Sequence, residues 1–145
     1  MHALAWAILA IGMAPGSSAE IIRETDIAGE SAEISVEVRQ GKDRLPVRVI
    51  VTASDGSHPD GSGHGAYADG RFFAEGSFTL KLPKGASRLQ IWGGPNYEPL
   101  DFRFEAKLGK CVHLAASLHR WFSPEDRGWY AGDNHVHAQH GRPPP

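Results

Sequence analysis

The sequence predicts an all-β protein, an antiparallel β-sandwich, on three observations. Apolar and polar residues alternate with a period of two over most of the chain. Glycine and proline are frequent, 17 and 10 residues among 145, and they gather between the alternating runs. No convincing helical stretch follows residue 20.

Taken in order, residues 1–19 read as an export signal. "LAWAILAIGMA" is an apolar run, and "PGSSA" after it sets small residues at Ser17 and Ala19, the pattern of a cleavage site. The run is shorter than the roughly 20 apolar residues that span a bilayer, so no stable membrane anchor is expected after cleavage. The opening "MHA" lacks the usual Lys or Arg. Export places the mature chain in the periplasm or outside the cell. Cys111 is the only cysteine, so no intrachain disulfide can form and stability must come from burial. It begins an apolar-alternating segment and reads as a small strand residue.

Residues 20–122 form the predicted sandwich. "AEISVEVR" puts Ile34, Val36 and Val38 on one face, and "LPVRVIVTA" does the same with Leu45, Val47, Val49 and Val51. "GSFTLKL" offers Phe78, Leu80 and Leu82; "LDFRFEA" offers Leu100, Phe102, Phe104 and Ala106; "CVHLAASL" offers Val112, Leu114, Ala116 and Leu118. One apolar and one polar face per segment is the pattern of half-buried strands. "RQGKDR", "LPKGAS", "GGPNYEP" and "KLGK" supply turns, and "VRQGKDRLPVRV" reads as a hairpin with Gly41 at a positive φ. About 100 residues in two sheets can bury enough surface to fold without cross-links.

Residues 54–70, "SDGSHPDGSGHGAYADG", form a long irregular loop, read as solvent-facing and flexible. Its Asp55, Asp60 and Asp69 do not fit a calcium-loop frame, and His58 and His64 are weak candidates for metal. His113 and His119 fall on the polar side of the last strand. Trp92, Tyr97 and Tyr67 are either ligand-facing or packing aromatics. With a net charge of −2 and no basic stripe, no nucleic-acid partner is expected.

Residues 123–145 change character. "FSPEDRG" is a short linker, and "GWYAGDNHVHAQHGRPPP" carries Asp133, His135 and His137 at alternate positions. In a strand these side chains share a face, with the two histidines about 6.6 Å apart along it. Two imidazoles at that separation can lean toward one divalent ion. Asp133 can accept a hydrogen bond from a ligating imidazole and fix its tautomer.

"GWYAGDNHVHAQHG", directly after a β-sandwich ending in "LHRW", resembles the entry to the catalytic domain of PHP-type metallohydrolases of the CehA/McbA-like branch. The upstream segment is similar to their N-terminal β domains, which resemble the transthyretin-like, carboxypeptidase regulatory-like sandwich. The resemblance covers most of residues 45–140. It implies that His135 and His137 are metal ligands, that Asp133 supports them, and that the ion is a divalent metal, zinc or manganese, serving hydrolysis of phosphoester or related ester bonds. His140 has no secure counterpart.

The 145 residues hold only this first motif, whereas a catalytic metal needs at least three protein ligands and a shaped cavity. The leading expectation is therefore an N-terminal fragment of an exported metallohydrolase, inactive by itself. A stand-alone secreted binding module, with a protein or carbohydrate ligand and a metal-collecting His tail, is the alternative. A purely structural domain with an inert tail is the third.

Overall fold

Among the described residues, alternation with a period of two builds nine strands in two sheets. The computed structural model describes residues 16–63 and 65–130. Residues 1–15 of the export signal predicted over 1–19, with the signal helix expected there, His64, and the segment carrying Asp133, His135, His137 and His140 lie outside the described residues, whereas Ser18 and Ala19 already belong to the first strand.

The strands run β1 Ser18–Asp26, β2 Ala32–Gln40, β3 Asp43–Arg44, β4 Val47–Thr52, β5 Phe72–Ala74, β6 Ser77–Leu82, β7 Gly85–Trp92, β8 Leu100–Ala106 and β9 Lys110–Ser117. A 3-10 turn follows at Pro124–Arg127. One sheet has the order β1-β9-β2, with β3 and β6 both pairing with β2; the other has the order β5-β4-β7-β8. Every neighbouring pair is antiparallel except β2 and β9, which run parallel with Ile34 opposite Val112 and Val36 opposite Leu114. That pair refines the wholly antiparallel expectation. Nothing in single-strand alternation encodes the direction of a neighbour, because inward and outward faces repeat identically either way.

The inward faces meet in one core. Ile34, Val36, Phe78, Leu80 and Leu114 come from the first sheet, and Val49, Val51, Phe72, Leu89 and Ile91 from the second. Phe72 and Phe78 join the layers edge to face, with ring centroids 5.3 Å apart. Phe104 is buried and Phe102 only partly so, although the alternation treats them alike.

The expected hairpin from β2 ends early. Gly41, at φ 59°, opens a tight turn and pairs Gln40 with Asp43. Among the described residues no non-glycine has positive φ, so only the first turn position does, as in a type II′ turn. After β3 the chain leaves the first sheet at Leu45–Pro46. Pro46 has no N–H for a ladder, and β4 begins next to it in the other sheet. "LPKGAS" is likewise not all turn: β7 starts at Gly85 and becomes an inner strand of its sheet.

Strand β1 departs most from the alternation. It pairs with β9 along nearly its full length, with an irregularity between Ile21 and Arg23. Its side chains are nearly all exposed, Ile21 and Ile22 included. Ser17, just ahead of it, is tied down: its amide donates to Glu98 Oε2 at 3.2 Å, and its hydroxyl donates to the Glu98 carbonyl at 2.7 Å while accepting from the His119 amide at 2.9 Å.

Candidate ligand-binding groove

The two outer faces differ in chemistry. On the first sheet the outward side chains are largely polar, apart from the exposed Ile21 and Ile22 of β1, and some of them pair with one another. Glu37 accepts from Arg39 and Arg44, and the Arg39 hydrogen bond holds its carboxyl below the usual carboxylate range. Thr25 and His113 share a hydrogen bond at 3.0 Å.

On the second sheet, period two points Arg48, Ile50, Phe73, Gln90 and Trp92 outward. The register places Arg48 opposite Trp92 on β7 and opposite Phe73 on β5, so three strands contribute one row: Phe73, Arg48, Trp92. The Arg48 guanidinium lies over the Trp92 ring, 4.9 Å from its centroid. Such stacking contributes about 0.5–1 kcal/mol at exposed sites and more when desolvated.

This row lies along a groove of about 620 Å³, walled by Pro46, Glu75, Gly93, Gly94 and Pro95 among others. That volume falls in the range of small-molecule sites. Phe73 is 59% exposed, which for a phenyl ring on a sheet is a substantial apolar surface left to water. Tyr67 meets it edge-on at 5.9 Å, with Arg71 over the Tyr67 ring, so the aromatic surface continues past β5. Gly94 takes φ 102° and a side chain there would meet nothing within 4 Å, which leaves that wall open.

Two charges of opposite sign face this groove without neutralising each other. Neither Arg48 nor Glu75 forms an ion pair among the described residues. Arg48 Nε is buried and meets no hydrogen-bond acceptor among them. Elsewhere on the same face Arg88 donates to Asp101, whose carboxyl that hydrogen bond holds below its ordinary range, while Arg103 and Glu105 on β8, like Arg48 and Glu75, form no ion pair among the described residues. The groove thus combines aromatic rings, an unpaired cation and an unpaired anion.

The other residues singled out from the sequence are placed as follows. His58 Nδ1 sits 3.0 Å from the Val51 carbonyl and its side chain packs on Gly70, so it fastens the 54–70 loop to β4. Asp55 and Asp60 each bond the amide and hydroxyl of the serine two residues on, and Gly61 lies against Phe72 and Leu80. The loop therefore has internal order where it meets the core. His119 bonds through its backbone to Ser17 and Glu98. Tyr97 donates to Gln40 Oε1 and lies under Arg120, a packing role, whereas Trp92 lines the groove. Cys111 is a buried free thiol, its pKa raised by desolvation. Among the described residues no three His, Cys, Asp or Glu side chains cluster as a metal site. None of their helices is long and apolar enough to cross a membrane.

Arg48 and Phe73 were not singled out from the sequence. The available signal was an aromatic at a polar position of the alternation, in "RFFAEG", and it becomes a site only once β5 and β7 flank β4. Compared with known proteins, the chain has no matching family model, no matching curated protein and no matching solved structure.

Proposed function

We propose that residues 20–122 are a non-catalytic ligand-binding module, exported, of the transthyretin-like, carboxypeptidase regulatory-like kind. It stands ahead of the opening motif of a PHP-type metallohydrolase domain. The observation that carries the binding role is the groove along which Phe73, Arg48 and Trp92 form one row from three strands, with Phe73 left exposed. The metallohydrolase part rests on the sequence resemblance of residues 128–137.

In that reading His135 and His137 hold a divalent ion, zinc or manganese, both of which accept imidazole nitrogen and carboxylate oxygen. Asp133 orients one imidazole. When bound in a complete site, the metal supplies Lewis acidity and an activated water for attack on a phosphoester or related ester. Two imidazoles and one carboxylate from one short motif do not enclose such a water. The 145 residues are therefore proposed to be inactive by themselves.

Two titrations of the full chain test the reading. Against a panel of neutral oligosaccharides, acidic oligosaccharides and proline-rich peptides, at least one class should saturate a change in tryptophan fluorescence, and Phe73→Ala should weaken it. Against zinc, binding should be micromolar or weaker and disappear in the His135→Ala/His137→Ala double variant, with phosphodiester hydrolysis at background. Metal-dependent turnover lost with those histidines would contradict the non-catalytic role.

A further inference from the structure

We infer that export processing cuts the chain after Gly16, not after Ala19, and that Glu98 receives the free α-ammonium of Ser17; this rests on the export proposed for the chain. A cleavage site needs small residues at the first and third positions before the cut. The frames ending at Ala14, Gly16, Ser18 and Ala19 all meet that rule. The first would break a bond to Pro15, whose nitrogen has no N–H and whose ring restricts the residue before it. The fold discriminates among the other three.

Ser18 pairs with Ser117 and Ala19 with Ala116, and Ala19 also packs against the core. Both residues therefore belong to the folded domain. Ser17 is held by its amide on Glu98 Oε2 at 3.2 Å and by a hydroxyl that donates to the Glu98 carbonyl and accepts from the His119 amide. A hydroxyl can do both at once, as no apolar side chain could. A cut after Ser18 removes the Ser17 contacts, and a cut after Ala19 removes the Ala19 core contact as well. Both bonds also lie within a strand paired to β9, whereas Gly16 is exposed and precedes it, the kind of chain end that proteases reach. A cut after Gly16 keeps every contact. A signal peptidase adds water across that amide, leaving a carboxylate on Gly16 of the released signal and an amine on Ser17. The amine is an ammonium at neutral pH. The neutral amide donor facing Glu98 becomes a charged one, and charge-assisted hydrogen bonds are the stronger kind.

The test is expression of the full chain for export in a bacterial host, with the intact mass of the product read under denaturing conditions. The expected first residue is Ser17. Ala19→Val closes the frame ending at Ala19 and should leave the first residue at Ser17, whereas Gly16→Val should abolish or move the cut. Masses of denatured chains do not depend on whether a variant folds. The contact itself is tested on chains beginning at Ser17, with the amine free or acetylated. Glu98→Gln should lower the urea midpoint more in the free-amine chain, where it removes a charge pair, than in the acetylated one. Equal losses overturn the ammonium contact. A product that begins at any other residue, or is exported with Met1 intact, overturns the inference while leaving export standing. A chain that stays uncut in the cytoplasm removes both.

Discussion

Phe102 and Phe104 occupy equivalent positions in the pattern of "LDFRFEA", yet only Phe104 is buried. Phe104→Ala should cost about 3–5 kcal/mol in urea unfolding, the usual range for a buried phenyl, and Phe102→Ala clearly less. Equal losses would mean the core reaches further along β8. Cys111 offers a second check. Its thiol is buried and its pKa is raised by desolvation, so the nucleophilic thiolate is scarce in the folded protein. A thiol reagent at mildly alkaline pH should label it slowly in the native state and quickly in urea. At this scale the sequence was a good guide to the inward residues, because burial of alternate side chains is what the pattern encodes. It was silent on Arg48 and Phe73, whose importance depends on which strands lie beside them.

Among elements, β1 and β7 carry the instructive differences. In β7, Ser87, Leu89 and Ile91 point inward, but a buried serine at 4% exposure and the neighbouring "LPKGAS" disguised the strand as a turn. In β1 the adjacent Ile21 and Ile22 and the irregular register hid an edge strand that buries little apolar surface. Its start at Ser18 bears on processing. Cleavage after Ala19 removes the Ser18 and Ala19 pairs with β9 and the three Ser17 hydrogen bonds to Glu98 and His119. A chain starting at Glu20 should therefore be about 1–2 kcal/mol less stable than one starting at Gly16, since exposed hydrogen bonds contribute modestly. Identical urea midpoints would show that this end does not hold the sheet. Removing 123–145 should change stability by less than about 1 kcal/mol. Among the described residues that segment contributes to the sandwich a partly exposed ion pair, between Arg120 and Glu125, and the Arg127 guanidinium over the Phe122 ring.

For the whole molecule, the sandwich holds together by burial across two sheets without a disulfide, and its surface charges set its response to acid. Glu37, Asp69 and Asp101 all have carboxyl pKa values lowered, first by side-chain hydrogen bonds to Arg39, Arg71 and Arg88 respectively. A carboxylate whose folded pKa lies below its unfolded one contributes stability above the unfolded value and loses it as pH falls toward the folded value. Urea midpoints should stay level from neutral pH down to about pH 5 and decline below about pH 4. The decline should be shallow, because these pairs are exposed and screened. The all-β, two-sheet architecture was legible because alternation and turn chemistry are local. The parallel β2–β9 pair and the groove were not, because both arise from contacts between segments far apart in the chain. If the sandwich is a binding module, its contacts belong on the outer face of the four-stranded sheet. The most direct measurement is residue-resolved amide shift mapping of the full chain with the tightest ligand of the oligosaccharide and peptide panel. Perturbations confined to Pro46–Arg48, Phe73–Glu75 and Trp92–Pro95 and their neighbours are the predicted result, with Pro46 and Pro95 reported through adjacent amides. Perturbations centred on the 54–70 loop or on the outer face of the five-stranded sheet would contradict it.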